Sequence, residues 1–310
     1  MKSICIFGVF VADLCFVGGK IPTKGQTILG KKHIVGPGGK GSNQAIAAAR
    51  LNGDISFITK VGKDSHSEMA FNLYKEAGVK THSIIQDDKL FTGVAGIMID
   101  EDGNNAINII SGAAEHLVNS DIDNHIETIK KSEIFLTQME TPDETTIYAL
   151  KKAKENGCTT VLNPAPARKI DEENFKLVDF FTPNETEAEF YLNKKIKTDI
   201  DIKNAGQELL KKGVKNIIIT LGERGIYFAN NDENFFIDAF KLKQPVLDTT
   251  GAGDAFNGAF TVGLAKNLNI KEALNFANKI AGISTTKLGA AASMPFTKDL
   301  VNFNLFDRVK

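Results

Sequence analysis

The sequence predicts an α/β fold, a three-layer αβα sandwich with a mostly parallel central sheet and a small β-sheet lid. Through most of the 310 residues, short apolar runs alternate with longer amphipathic segments of helical length. This alternation is typical of parallel strands joined by crossover helices. Two stretches, about 14–35 and 91–110, instead carry β-like segments and turn residues without a long helix. No linker or low-complexity tract divides the chain, so residues 1–310 are predicted to form one domain.

The predicted strands of the central sheet share short runs of Ile, Val, Phe and Thr that usually end at Gly, Asn or Pro. They are Ser3–Phe7, 55–59, Ile134–Thr137, Thr159–Leu162, 180–182 and 217–221. The helical patterns cover 43–51, 67–77, 144–156, 205–212, 255–266 and 271–287, and a closing helix is expected at 296–310. Gly157 and Gly213 each follow a basic last turn, as C-cap glycines do.

The two stretches without a long helix are interpreted as the lid. Their β-like segments are 27–29, 94–99 and 106–110. A plainer alternative is that they form edge hairpins of the central sheet.

Composition excludes several classes of protein. The chain has 37 Lys and Arg against 38 Asp and Glu, a net charge of −1, so a general binder of nucleic acid or anionic membranes is not expected. Cys5, Cys15 and Cys158 show no C-x-x-C spacing, which predicts neither a disulfide framework nor a zinc ribbon. No signal peptide or long apolar span is recognised, so a cytoplasmic location is expected.

A first glycine cluster occupies residues 36–41, directly before a predicted helix. It formally satisfies G-x-G-x-x-G, but it begins 28 positions after Gly8, the end of the first strand, whereas a dinucleotide fingerprint normally occupies the first βα turn. A Walker A loop is excluded because Gly41 follows Lys40. The cluster is interpreted as a loop where a ligand approaches the backbone, with Lys40 and Asn43 recognising hydroxyl groups. The alternatives are a structural helix entry and, more remotely, an NAD-dependent oxidoreductase.

A second glycine cluster lies in residues 247–258, at the start of another predicted helix. Gly251 and Gly253 allow backbone N–H groups to point one way, and the helix dipole reinforces this nest for phosphate oxygens. Asp254 then has two open interpretations, a favourable cap charge or the base that deprotonates an attacking hydroxyl.

Two further elements follow predicted strands. Asn184 and Glu187 are three apart, so an amide and a carboxylate on one helical face could hold a hydrated Mg²⁺. The alternative is an acidic first turn that complements the helix dipole. Residues 219–225 form a strand end and tight turn where a nucleotide could lie along the sheet edge.

In this order, and together with 163–168 (NPAPAR) and 287–295 (KLGAAASMP), these elements resemble the ribokinase family of sugar kinases. The motif pair G-G-K-G-x-N and D-T-x-G-A-G-D-x-F-x-G is highly specific, and the resemblance runs from about residue 4 to 295. It implies ATP-dependent phosphorylation of a sugar's primary hydroxyl, activation by Mg²⁺ and by a monovalent cation, typically K⁺, and a lid that often also forms a homodimer interface.

The resemblance also implies roles for individual residues. The catalytic group would be Asp254 as base with Gly251, Ala252 and Gly253 as anion hole. The sugar would contact Asp13, Gly39, Lys40, Asn43, Glu140 and Asp254. The nucleotide would contact Asn184, Thr220, Gly222, Gly225, Gly253 and Asn278. Mg²⁺ would be held near Asn184 and Glu187, and K⁺ by Asp248, Thr250, Ser284, Lys287, Gly289 and Ser293.

One departure from the family bears on the substrate. Where ribokinases commonly read Gly-Ser-x-Asn-x-Asp, this chain has Val11 in place of the Asn, two residues before Asp13. An unpaired buried hydroxyl costs about 1–3 kcal/mol, so the preference for a sugar bearing that hydroxyl should weaken. Deoxyribokinases are similar in having an apolar residue here. D-ribose is the first expectation and 2-deoxyribose the alternative, while a water or Asn108 could compensate for the missing amide.

Other members of the family remain as further alternatives. A sugar phosphate would need cations in the lid, but the two lid stretches contain Lys and His and no Arg, which disfavours a phosphofructokinase. A nucleoside kinase could stack its base on Phe16 or Phe91, although packing explains both residues equally well.

Overall fold

The computed structural model describes residues 2–102 and 104–303, with the backbone alone for 301–303. Its strands are β1 (Ser3–Phe7), β2 (Val11–Val17), β3 (Lys32–Gly38), β4 (Asp54–Gly62), β5 (Ile84–Asp87), β6 (Thr92–Ile99), β7 (Asn105–Gly112), β8 (Ile134–Thr137), β9 (Thr159–Leu162), β10 (Phe180–Phe181), β11 (Asn216–Thr220), β12 (Ile226–Ala229) and β13 (Asn234–Ile237). Its α-helices are α1 (Lys40–Arg50), α2 (Ser65–Ala77), α3 (Asn119–Asn124), α4 (Ile126–Lys130), α5 (Asp143–Glu155), α6 (Glu185–Leu192), α7 (Asp199–Lys211), α8 (Ala252–Ala265) and α9 (Ile270–Ser284). Short 3₁₀ turns include Gly222–Arg224, Ala291–Ser293 and Thr297–Phe303.

The central sheet has the strand order β13-β12-β11-β10-β9-β8-β1-β4-β5. The pairs from β11 to β5 are parallel, and only β12 and β13 add an antiparallel edge. Alternate residues of β1 enter two different cores, Ile4 and Ile6 on the face of α1, α8 and α9, and Cys5 and Phe7 on the face of α5 and α7. Burial on both faces explains why the strand is apolar throughout. The predicted αβα sandwich is confirmed.

A second sheet has the order β3-β2-β6-β7 and shares no strand with the first. The lid is therefore a sheet of its own, and the edge-hairpin alternative is wrong. The predicted strand at 27–29 is also wrong: these residues form no regular secondary structure, the third strand of the lid is instead β3, which pairs with β2, and Leu29 is 93% exposed.

Several predicted boundaries move for identifiable reasons. Helix α7 begins six residues before the predicted 205, because Thr198 accepts a hydrogen bond from the Asp201 N–H and caps it there. Helix α8 begins at Ala252 rather than 255, which places the second glycine cluster in its first turn. Helix α9 ends at Ser284, before the predicted 287. The expected helix at 296–310 is a 3₁₀ turn up to Phe303, and 304–310 lie outside the described residues.

Among the described residues, no helix is both long and apolar enough to cross a membrane.

Candidate active site

At the corner between β3 and α1, the backbone of Gly39 packs directly against the backbone of Val9. Gly39 has φ +86°, and a Cβ there would overlap the carbonyl oxygen of Val9. A Cβ on Gly38 would overlap the carboxylate of Asp13 in β2. Only glycine fits at Gly39 without a backbone shift, so the chain can turn directly from the lid into α1 beside Asp13.

Four of the predicted sugar-binding side chains meet at this corner. The Lys40 N–H donates to Glu140 Oε2 at 2.8 Å, and Asn43 Nδ2 donates to Asp254 Oδ2 at 3.0 Å. Asn43 is 5% exposed, and its Oδ1 is buried without a partner among the described residues. A buried amide oxygen without a donor is an acceptor available to a ligand hydroxyl.

Burial also sets the acidity of the carboxylates here. It raises the pKa of Asp13 to about 6. It raises the pKa of Glu140 to about 7, against the opposing charge of Lys40. Both groups therefore change charge near neutral pH.

Asp254 lies in the first turn of α8 and is 6% exposed. Burial raises its pKa, while the Lys40 charge and hydrogen bonds from Gln44 and Asn43 oppose that rise. Its Oδ1 accepts from Gln44 Nε2 at 2.9 Å, so both carboxylate oxygens are bonded. A buried carboxylate with a pKa above normal beside a substrate corner has the character of a general base.

The predicted anion hole lies at the N-terminus of α8. Gly251 has φ +77°, and the N–H of Gly253 has no acceptor among the described residues. A Cβ on Gly253 would meet open space. The Ala252 N–H, however, donates to Thr249 O at 3.1 Å. The described structure therefore leaves the N–H of Gly253, rather than that of Ala252, open to an anion.

A network of side-chain amides behind Asp254 was missed by sequence reasoning. Gln44 Nε2 also donates to Asn163 Oδ1 at 3.0 Å, and Gln44 Oε1 accepts from Gln138 Nε2 at 2.6 Å. Thr182 Oγ1 donates to Asn257 Oδ1 at 2.7 Å, and Asn257 Nδ2 donates to Gly253 O at 2.9 Å. Since Asn163 Nδ2 donates to Thr182 O, the network connects Asp254 to Gly253 O through side-chain amides.

Asn184 and Glu187 form a reciprocal helix cap. Asn184 Oδ1 accepts from the Glu187 N–H, and Glu187 Oε2 accepts from the Asn184 N–H, both at 2.8 Å. Burial raises the pKa of Glu187, which interacts electrostatically with Lys40 and Asp254. Glu187 Oε1 keeps its lone pairs, so this carboxylate can face a hydrated cation while Asn184 holds the turn.

The predicted nucleotide residues follow one edge of the sheet. Thr220 ends β11 and forms a bridge with Asn184. Gly222 and Gly225 flank the next turn, both with positive φ. Asn278 Nδ2 donates to Asp238 O at 2.7 Å.

The predicted K⁺ loops are joined by Asp248. One of its oxygens accepts from the Thr250 N–H and the other from the Gly289 N–H, each at 2.8 Å. The Ser284 hydroxyl donates to Ala281 O at the end of α9, and the Ser293 hydroxyl donates to Ala290 O. The Lys287 ammonium pairs with Asp299 at 3.1 Å, so only its backbone could serve a cation. All the atoms that these residues could offer as cation ligands are oxygens, which suits a hard monovalent cation.

The register of the lid decides which residues face Asp13. Val11 and Asp13 lie on the same face of β2, and Val11 is 5% exposed. Asp13 pairs with Ala95, which pairs with Ile109, whereas Asn108 pairs with Gly96 on the other face. The suggestion that Asn108 replaces the missing amide within this chain is therefore wrong.

The family model described as pfkB family carbohydrate kinase matches residues 1–297. The chain belongs to the pfkB family of carbohydrate kinases. It is therefore a sugar phosphotransferase, as the glycine clusters and Asp254 suggested.

Named relatives within the family refine the comparison. The chain is 38% identical over 296 residues to a ribokinase of Lactococcus lactis, covering 95% of this chain and 94% of the relative. It is 35% identical over 294 residues to a deoxyribokinase of Salmonella typhi, covering 94% and 95%. The solved structure of Arabidopsis thaliana ribokinase complexed with ribose and ATP superposes with a TM-score of 0.93 at 29% identity, covering 99% of both chains. The family and the fold are thus established, and both ribokinases and deoxyribokinases are among the relatives.

Proposed function

We propose that this kinase transfers the γ-phosphoryl group of ATP to the primary 5-hydroxyl of D-ribose, giving ribose 5-phosphate. The observation that carries the proposal is the contact between Asp254 and Asn43. A hydroxyl bound to the unpartnered Asn43 Oδ1 lies beside the Asp254 carboxylate, and the open N–H of Gly253 is one residue away. Acceptor, base and anion site therefore meet at one point.

Each site residue has a part in this reaction. Asp13, Gly39, Lys40, Asn43 and Glu140 bind the sugar, and Asp254 takes the proton from its attacking hydroxyl. Gly251 and Gly253 bind the transferring phosphoryl group. Asn184, Thr220, Gly222, Gly225 and Asn278 line the nucleotide edge, where the Arabidopsis relative supports ATP as the ligand.

Two ions complete the proposal. Glu187 is the residue placed to hold Mg²⁺ through water, and Mg²⁺ would supply charge neutralisation on the ATP phosphates. The loops joined by Asp248 would hold K⁺ through backbone and hydroxyl oxygens. We expect activity to rise with K⁺ at constant ionic strength relative to Na⁺.

The lid is proposed as a homodimer interface. Its strands expose Phe16, Ile34, Val35, Met98, Ile107, Ile109 and Ile110, each by 41% or more. By register, Ile34, Ile107 and Ile109 lie on the Asp13 face of the lid, and the other four lie on the opposite face, where an exposed apolar surface favours a protein contact. Sedimentation velocity should give twice the mass of one chain, and a monomer at micromolar concentration would exclude this interface. The three free thiols fit the reducing cytoplasm as the place of reaction.

2-Deoxyribose is the second candidate, and Val11 favours it. Val11 lies on the sugar face of β2, two residues from Asp13, and offers no hydrogen bond to a hydroxyl. The relatives include a deoxyribokinase as well as ribokinases.

A coupled kinase assay decides between the acceptors. It compares kcat/KM for ribose, 2-deoxyribose, fructose, fructose phosphates and adenosine, with K⁺ or Na⁺. Ribose should be the best acceptor, and an advantage of about tenfold or more for 2-deoxyribose would make deoxyribose the substrate. Val11→Asn should shift the ratio of kcat/KM towards ribose by about tenfold. Val17→Asn, on the same face of β2 but further along the lid, is the matched control and should leave the ratio unchanged.

A further inference from the structure

Gln44 binds the oxygen of the Asp254 carboxylate that Asn43 does not contact. It follows Asn43 in α1 and is fully buried, whereas Asn43 has a free acceptor for the sugar. Gln44 Nε2 donates to Asp254 Oδ1 at 2.9 Å, and Asn43 Nδ2 donates to Asp254 Oδ2 at 3.0 Å. The two oxygens of the base therefore have different neighbours.

The orientation of the Gln44 amide is fixed by its other partners. Both hydrogens of Nε2 are used, one on Asp254 Oδ1 and one on Asn163 Oδ1. Oε1 accepts from Gln138 Nε2 at 2.6 Å, and Gln138 is 1% exposed. Turning the Gln44 amide over would place Oε1 against two acceptor oxygens and leave the Gln138 donor facing another donor. The acceptors Asp254 Oδ1 and Asn163 Oδ1 thus determine that Gln44 presents a donor to the base, and Gln138, whose own Oε1 has no partner among the described residues, completes the contacts of Gln44.

We propose, on the basis of the proposed kinase function, that Gln44 is a positioning residue that holds Asp254 Oδ1, so that Oδ2 is the oxygen that takes the proton. Gln138 donates to Gln44 Oε1 and supports it one step further away. Neither glutamine touches the reacting atoms.

The proton balance follows from this assignment. The 5-hydroxyl oxygen forms a bond to the γ-phosphorus while its proton moves to Asp254 Oδ2. The bond from the γ-phosphorus to the β,γ-bridging oxygen breaks, and ADP leaves with that electron pair. Each oxygen accepts one hydrogen bond, Oδ1 from Gln44 and Oδ2 from Asn43, and Oδ2 is the oxygen bound to Asn43, whose unpartnered Oδ1 is available to the sugar.

The charged groups around Asp254 come from several elements. Lys40 at the start of α1 lowers its pKa, and Glu140 after β8 and Glu187 in α6 are the carboxylates that interact with it. Asp13 in β2 interacts with Glu140. These groups are retained when Gln44 or Gln138 is changed, so a variant of either glutamine isolates the contribution of the amide.

The test compares Gln44→Met and Gln138→Met with wild type. Methionine has nearly the same length and no amide, and Gln207→Met on the exposed side of α7 is the matched control. The readouts are kcat against pH at saturating sugar and ATP, and sugar affinity by calorimetry. With saturating sugar, the acid limb of kcat reports the base in the bound complex.

For Gln44→Met we expect the acid limb to move to higher pH, because the ionised base loses a donor, with kcat about tenfold below wild type on that limb. Sugar affinity should stay within about threefold. Gln138→Met should shift the limb in the same direction by less, and Gln207→Met should not shift it. If Gln44→Met fails to fold, the proposal is tested by whether the acid limb of kcat moves to higher pH in Gln138→Met.

If wild type phosphorylates sugar and the acid limb is unchanged in folded Gln44→Met and Gln138→Met, this inference is wrong while the proposed function stands. A uniform loss of kcat at every pH would also overturn the inference, because that is the effect of a purely structural role. A wild type that phosphorylates no sugar would overturn the proposed function and this inference with it.

Discussion

Sugar capture by this kinase should depend on pH through Asp13 and Glu140. Burial raises the pKa of Asp13 to about 6 and that of Glu140 to about 7. Both carboxylates lie at the proposed sugar-binding corner, where an ionised group would accept hydrogen bonds from hydroxyls and a protonated group would accept fewer. Since both pKa values are raised, the binding form appears only as pH rises past them.

The size of the effect follows from these two values. With both groups required in the ionised form, the competent fraction is about 0.9 near pH 8 and about 0.05 near pH 6. The kcat/KM for sugar should therefore fall about twentyfold across that interval, because kcat/KM reports the free enzyme.

The assay measures kcat/KM for the sugar from about pH 5.5 to 9 at saturating ATP. Glu140→Gln removes one titrating group but keeps an amide oxygen for the Lys40 N–H, so the step near pH 7 should disappear. Glu155→Gln, on the exposed side of α5, should keep the wild-type profile. A Glu140→Gln profile that matches wild type would refute the role of Glu140 in this titration.

Two further predictions concern the framework of the site. Gly39→Ala should abolish sugar binding and lower the melting temperature, because its Cβ would overlap the backbone of Val9. Gly78→Ala is the control: Gly78 has a similar φ of +87°, a Cβ there would have nothing within 4 Å, and only the cost of the backbone conformation should be lost. Equal melting temperatures of the two variants in thermal denaturation would contradict this prediction. The buried Arg50 guanidinium donates to Ala291 O at 2.7 Å and Met294 O at 3.0 Å, and so holds the loop that contains these residues against Gly251. Arg50→Met should therefore lower the free energy of unfolding by about 3 kcal/mol and weaken K⁺ activation. Denaturant unfolding and a K⁺ titration check it, and unchanged values for both would show that the loop is held by other contacts.

The central strands could be predicted from the sequence because burial on both faces makes them uniformly apolar. Ser3–Phe7, Ile134–Thr137 and Thr159–Leu162 match their predicted bounds. Strands β5, β12 and β13 were missed: β5 and β13 lie at the two edges of the sheet and carry polar residues such as Gln86 and Asn234, whereas β12 is buried but directly follows the turn at Gly225. In the lid, the face of Asn108 depends on strand register, which no short sequence window contains.

Some residues of the candidate site could likewise be predicted from the sequence, and others could not. The glycine clusters and Asp254 could be found because backbone geometry and phosphate binding impose local patterns. Gln44, Gln138 and Asn163 could not, because buried amides resemble surface residues in a sequence. Gln44 meets Gln138 across 94 positions and Asp254 across 210. Only the packing of α1 against α8 and the ends of β8 and β9 brings them into contact.

The most direct measurement compares turnover and sugar binding in Asp254→Asn. This variant keeps an oxygen for the Gln44 donor but cannot take a proton, so kcat should fall by at least about a hundredfold while calorimetric sugar affinity stays within about threefold of wild type. Asp232→Asn, at an exposed turn, is the control and should behave as wild type. Turnover within tenfold of wild type in Asp254→Asn would contradict the assignment of this carboxylate as the base of phosphoryl transfer.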